Sequence, residues 1–262
     1  MTEKTESGLP RSVAIAWGTY VPSQNGPRRG LSHEQIVAQA IAIADAEGIA
    51  AVTMARVAKD LGFTTMSLYR YVANKDELLL LMIGSESLLP TPAADVSAAD
   101  VSAAGWRNDL RAWADLLQDM YREHPWMLDI PRSPTSVLMP ASMYIADQGM
   151  RALSELGLSG GEQISVVLAI SSYVASFASL ERDLAGQEDF EFGAEAFAEL
   201  GEVVTTERLP YLAPLLLSGG YIGGPVDDDE GVDDDYRLGL DLLLDGLAVR
   251  WAVTDTPDHA GD

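Results

Sequence analysis

The chain has 262 residues, 47% of them hydrophobic, no cysteine and a formal net charge of -23. Length and apolar content suffice for a sizeable core and exclude wholesale disorder, while the missing cysteines exclude disulfides and thiolate metal sites. The charge is uneven: residues 1–90 carry 8 Lys/Arg against 9 Asp/Glu, and residues 91–262 carry 9 Arg, no Lys and 31 Asp/Glu, which excludes the second region as a nucleic-acid surface because phosphate contacts need cations.

In chain order, residues 1–30 read as a flexible arm, with Pro10, Pro22, Gly26, Pro27 and Gly30 interrupting it and one helical turn expected at Val13–Trp17. Its start has no continuous apolar stretch of the signal-peptide kind. Arg28 and Arg29 are either a solvated basic pair or a grip on phosphate or a minor groove. A first helix is predicted over Ser32–Glu47, with Ser32 and Gln35 as a capping box, Ile36, Ala40 and Ile43 at helical spacing, and Gly48 as the stop. A second begins at the cap Thr53 and turns Met54, Val57, Ala58 and Leu61 inward; Gly62 takes a left-handed turn and Phe63 plugs that turn into the core. A third covers Thr64–Tyr71 around Leu68, and Asn74 caps a fourth, with Glu77 completing a loose capping box before the apolar run Leu78–Ile83.

Beyond Pro90 a connection rich in Ala, Pro, Asp and Ser leads to helical blocks at Trp106–Glu123, Pro140–Leu156, Gly161–Leu184, Ala194–Leu217 and Asp233–Val253. Within the third of these, Val166–Leu180 is the least polar run; it reads as too short for a bilayer and contains four serines, so a buried helix of a cytoplasmic protein is expected and no membrane partner. No stretch alternates as strands do and no fixed period repeats. The expected fold is all-α: an arm at 1–30, a helix-turn-helix domain at 31–78, and a larger helical domain at 79–262.

Two short helices across a glycine turn form the unit that places one helix in the DNA major groove. Here the unit is specific: Val52-Thr53, Val57-Ala58, Leu61-Gly62-Phe63, Ser67-Leu68-Tyr69, Tyr71 and Lys75, then Asp76-Glu77-Leu78. It closely resembles the N-terminal DNA-binding domain of the TetR family of transcriptional repressors over Leu31–Leu79. On that resemblance Thr65 and Met66 meet base edges, Thr65 through its hydroxyl and Met66 against a thymine methyl. Ser67, Tyr69 and Tyr71 suit phosphates, and Lys75 joins helix N-terminal amides around one phosphate; the family gives similar jobs to the matching tyrosine and lysine. Thr64 is a cap that also faces DNA, Thr53 and Arg56 add phosphate contacts, and Arg70 is either a base reader or a solvated arginine. Residues 28–78 hold 6 Lys/Arg and 6 Asp/Glu. This neutral reading unit implies few phosphate contacts and a shallow salt dependence, against the basic footprint usual for such domains.

In that family the part after the fourth helix dimerises and binds a small molecule. Tyr236–Leu247 resembles the last helix of actinobacterial-type members with a tetracycline-repressor-like C-terminal domain. Leu240, Leu243, Leu244 and Leu247 form one stripe there, with Gly239 and Gly246 allowing close approach, and Gly161–Leu184 offers Val167, Ile170, Ser171, Val174, Ala175 and Ala178. The pair predicts a four-helix dimer interface or an intrachain core. Residue type alone nominates cavity walls: Trp113, Leu117, Met120, Tyr121, Trp126, Met127, Met139, Met143, Tyr144, Tyr173 and Phe177, with Gln148, Ser172 and Arg182 as polar anchors. The acidic run Asp227–Glu230 and Asp233–Asp235 does not fit a calcium loop, since Val226 and Arg237 fall where ligands are needed, and reads as a loop whose later aspartates cap the last helix. The three histidines, His33, His124 and His259, are scattered, and His124 before Pro125 is either a pocket group or a helix-end group. No catalytic grouping, metal spacing or cofactor motif is present. The expected function is a homodimeric repressor on a (pseudo)palindromic double-stranded DNA operator, released by a small apolar or aromatic effector. The rivals are a small-molecule scavenger with a relic DNA-binding domain and an all-α enzyme.

Overall fold

A computed structural model describes residues 8–20, 30–89, 105–185, 203–217 and 230–251. Side-chain caps set the helix starts of the first half. Ahead of them, α1 (Arg11–Ala16) follows Pro10. Ser32 and Gln35 form the reciprocal capping box that opens α2 (His33–Glu47), and Gly48, at φ +79°, ends it. Thr53 caps α3 (Met54–Asp60), Thr64 caps α4 (Thr65–Leu68) and Asn74 caps α5 (Lys75–Ile83), each side chain accepting from the amide three residues on. Gly62 has φ +77° between α3 and α4, a conformation in which a side chain is strained. α4 is shorter than the expected Thr64–Tyr71 helix, because Tyr69–Tyr71 continue only as turns.

The core gathers Ile36, Val57, Leu68, Val72, Leu78 and Met82 and extends to Leu88, Trp126 and Met139. Met139, nominated for a cavity wall, therefore packs under α5 instead. Phe63 departs from expectation: it is 36% exposed, and its ring lies over Gly30. The arm reading is also corrected over Pro10–Tyr20, where Val13, Ala14 and Ile15 join the core and Arg11 is buried.

The later helices are α6 (Trp106–Glu123), α7 (Pro140–Ala152), α8 (Gly160–Ala185), α9 (Leu212–Leu217) and α10 (Glu230–Trp251). No strand occurs among the described residues. Over its described part, the block foreseen at Ala194–Leu217 is helical at Val203 and in α9 and broken between them; Pro210 lacks an amide donor and disfavours helix at Leu209, and turns fill that region. Asp233–Asp235 lie inside α10 rather than capping it, and Asp227–Asp229 fall outside the described residues. At 26 residues α8 is long and apolar enough to cross a membrane, contrary to the short span read from sequence, and 28% of its most apolar window is buried.

The chain divides into two compact units, Met1–Ser179 with Leu247–Asp262, and Leu180–Gly246. Residues 31–78 thus share a unit with the helices that follow them. In the second unit Tyr236, Leu240 and Leu244 are buried along α10, while Leu238, Leu242 and Val249 lie exposed on α10 as a whole.

Candidate DNA-reading face and effector cavity

The face begins with what the caps leave over. Thr64 and Ser67 hydroxyls lie 2.9 Å apart, and Thr64 Oγ1 accepts from the Ser67 amide. Leu68 points into the core, so the opposite side of α4 projects Met66, 73% exposed, with Tyr69 at 46% just beyond it. Thr65 is half-buried and Arg70 exposed. Tyr71 turns partly inward: its ring meets His33 edge-on at 5.7 Å, and its carbonyl accepts from Arg11 (2.9 Å) and His33 (3.0 Å). Lys75 opens α5, its Nζ 3.5 Å from the Ile49 carbonyl, a long contact that leaves the ammonium accessible. Thr53 is exposed with its hydroxyl on the Arg56 amide (3.1 Å). Arg28 and Arg29 lie outside the described residues.

Arg56 is drawn away from the phosphate role expected of it. Nη2 and Nη1 donate to Glu47 at 2.7 and 3.2 Å, and Nε donates to Asp60 at 2.7 Å. Hydrogen bonds from Arg56 hold the Glu47 carboxyl below its ordinary range. Glu77 is likewise engaged: its buried carboxylate pairs with Arg11 and accepts from the Ala73 amide at 2.6 Å. Asp45, at the end of α2, accepts from His124 Nδ1 at 2.7 Å and from Trp126 Nε1 at 2.6 Å. His124 and Trp126 are thus a polar latch onto α2, and Trp126 is no cavity wall. Sequence spacing carries no trace of a pairing between residues this far apart.

Behind the face lies a cavity of about 1180 Å³. Trp113, Leu117, Met120 and Tyr121 of α6, Met127 of the intervening segment, Met143 and Tyr144 of α7, and Ser172 of α8 line it. Met127 precedes α7, in the turn Pro125–Asp129. Trp113 Nε1 donates to the Ile145 carbonyl at 2.9 Å, which fixes the indole plane against α7. Ser171, Ser176 and Ser179 give the α8 wall hydroxyls, and Arg132, 3.4 Å from the Tyr121 hydroxyl, adds a cation at the rim. Tyr173 and Phe177 pair with each other at 5.8 Å and do not line it. Gln148 is exposed outside it, and Arg182, paired with Asp183, belongs to the other unit. Among the lining residues not nominated from sequence are Ile83, the last residue of α5, and Trp17, just past α1. Ile83 was legible as the end of an apolar run; Trp17 gave no signal, since nothing local says which distant groove an N-terminal indole fills.

α5 joins the two sites. It starts at Lys75 and ends on the cavity at Ile83, and the Gly84 carbonyl accepts from the Ala141 amide of α7 at 3.3 Å. A Cβ on Gly84 would lie 2.8 Å from Met139 Cβ, so only glycine allows this approach.

Residues 36–82 match the model of bacterial regulatory proteins of the tetR family, and residues 100–251 that of the tetracyclin repressor-like C-terminal domain. The chain is 34% identical over 256 residues to the HTH-type transcriptional repressor DrrR1 of Streptomyces coeruleorubidus, covering 95% of this chain and 89% of that protein. It is 26% identical over 232 residues to the class A tetracycline repressor protein from transposon 1721 of Escherichia coli, covering 85% and 93%. Among solved structures, Streptomyces coelicolor ActR in complex with actinorhodin aligns with a TM-score of 0.61 at 25% identity, covering 84% of this chain and 96% of that one. Apo ActR aligns at 0.62 with 24% identity, covering 86% and 100%.

Proposed function

The chain belongs to the TetR family of transcriptional repressors, and on that premise we propose that it works as a homodimer on a (pseudo)palindromic operator and releases it when a small apolar or aromatic molecule fills the cavity. The observation that carries this is α5, with Lys75 at one end and Ile83 in the cavity wall at the other. A molecule seated against Ile83 shifts α5 as a lever, and with it the α4 face whose spacing in a dimer must match half-sites on one side of the duplex. A ligand can shift that equilibrium only by its differential affinity for the two arrangements. The cavity's aromatic and methionine walls with one row of hydroxyls favour a planar, oxygen-edged effector, and the complex of ActR with actinorhodin supports a small-molecule effector.

In this reading Met66 and Thr65 read base edges, Tyr69 and Lys75 hold phosphates, Ser67, Tyr71, Thr53 and Thr64 help position the backbone, and Arg70 stands at the rim. Arg56 acts indirectly, bracing α3 to Glu47. The regulator works in the cytoplasm. Leu180 and Leu184 of α8 and Leu238 and Leu242 of α10 meet a second copy rather than lipid, since α8 also carries Glu162 and four serines on its cavity wall.

The test is selection of an operator from the DNA flanking the coding sequence, followed by mobility shifts. Tyr69→Ala and Lys75→Ala should each weaken specific binding about tenfold or more. Unchanged binding would refute these roles, and effector affinity with no selectable operator would mark a scavenger.

A further inference from the structure

α1 ties the cavity to the DNA-reading head by a route that bypasses the Ile83 end of α5 and reaches its first turn at Glu77. Trp17 lines the cavity, 39% exposed. Its Nε1 donates to the Leu138 carbonyl at 2.8 Å, and its ring sits 6.1 Å from that of Tyr144. Six residues earlier, buried Arg11 pairs with Glu77 of α5, donates to the Tyr71 carbonyl at 2.9 Å and lies over the Tyr20 ring at 4.9 Å. Burial alone would lower the Arg11 pKa, but the bond to Tyr20 and the Glu77 charge outweigh it, so the guanidinium stays a fixed cation. Between them Val13, Ala14 and Ile15 are buried, so α1 moves as one piece. A planar molecule in the cavity meets the open face of the indole, and whatever tilts the indole pulls on the residues that frame the α4–α5 turn.

We propose that Trp17 is an effector-contacting residue supplied from ahead of the DNA-reading domain, and that α1 relays its position to Tyr71 and Glu77. This rests on the cavity being the effector site. The occupant of the Trp17 face is an aromatic ring system: Trp17 and Tyr144, in contact at 6.1 Å and 46°, present adjoining ring surfaces in the cavity lining.

The experiment uses the full-length protein and 8-anilinonaphthalene-1-sulfonate, a planar aromatic probe whose fluorescence rises in apolar cavities. Trp17→Ala should weaken probe binding about tenfold, as loss of a tryptophan anchor does, and Trp17→Phe, which keeps the ring packing, should weaken it less. Hydrogen exchange should show the probe altering protection at Val13–Trp17 and at Tyr71–Glu77 together in the parent protein, and a smaller change at Tyr71–Glu77 in Trp17→Ala, where only the Ile83 route remains. Unchanged probe affinity in both Trp17 variants, or the same head response with and without the indole, overturns the proposal. The double variant Tyr121→Ala/Met143→Ala separates the two readings. If it too binds the probe as before, the cavity is not the site and the effector reading fails; if it loses the probe while the Trp17 variants keep it, only the role of Trp17 and α1 falls.

Discussion

Asp45 shows how one side chain carries a joint. Its carboxylate, a third exposed, takes two donors, the His124 imidazole and the Trp126 indole, from the corner after α6. Both donors are buried, and a buried donor without its acceptor costs roughly 1–3 kcal/mol. Asp45→Ala should therefore lower unfolding stability by about 2–4 kcal/mol, whereas Asp45→Asn, which keeps Oδ1 as an acceptor, should lose less than half of that; equal losses in urea titrations would show that charge, not acceptance, holds the joint. The residue scale also shows what sequence conceals. Leu68, Gly62 and the caps at Ser32, Thr53, Thr64 and Asn74 were legible because each is decided within four residues of itself. Phe63, Arg56 and Arg11 were not: whether an aromatic turns in, or an arginine faces DNA or a carboxylate, depends on partners that chain order does not name.

Among elements, α6 and α7 approach closely at Gly149. A Cβ built on Gly149 would lie 2.8 Å from two Trp113 ring atoms and 3.0 Å from a Val167 methyl. The indole cannot retreat without breaking its bond to Ile145, so Gly149→Ala should cost about 1–3 kcal/mol as overpacking, despite the better helix propensity of alanine. It should also reshape the cavity wall, seen as weaker binding of an aromatic probe; a variant as stable as the parent, with the same probe affinity, would mean that the helices part freely. Helix existence was readable along most of the chain because period and caps agree. Helix pairing was not. Val167, Ile170, Val174 and Ala178, read as a dimer face or an intrachain core, are buried within one copy, because periodicity identifies an apolar face without saying whose core it enters. Leu180 and Leu184 at the end of α8, and Leu238, Leu242 and Val249 on α10, are exposed and do not line the cavity. If α10 meets a second copy as proposed, a carboxylate there is costly to bury, so Leu238→Asp with Leu242→Asp should raise the dissociation constant of that dimer about a hundredfold or more by sedimentation; unchanged association would place the interface elsewhere.

At the scale of the whole molecule the question is how a chain of charge -23 holds DNA. The acids of the reading unit are largely engaged from within: Glu77 by Arg11, Glu47 and Asp60 by Arg56, Asp45 by His124 and Trp126. That arrangement neutralises the unit without making it basic, since it occupies Arg56 as well. The acidic remainder matters little at physiological salt for groups more than about 8 Å from the phosphates. In the proposed arrangement Arg70, in the turn after α4, and Lys75, at the start of α5, are the cations available to the reading face, two per head and four per dimer. Each phosphate neutralised contributes about -0.9 to the slope of log K against log salt, so operator binding should show a slope near -4. Arg28 and Arg29 test the remaining freedom. If they grip phosphate in both copies the slope steepens to about -7, and the Arg28→Ala/Arg29→Ala variant returns it to about -4. A slope of about -10 or steeper in the parent would mean that cations outside this accounting hold the DNA, and it would overturn the view that specificity here comes mainly from Thr65, Met66 and paired heads.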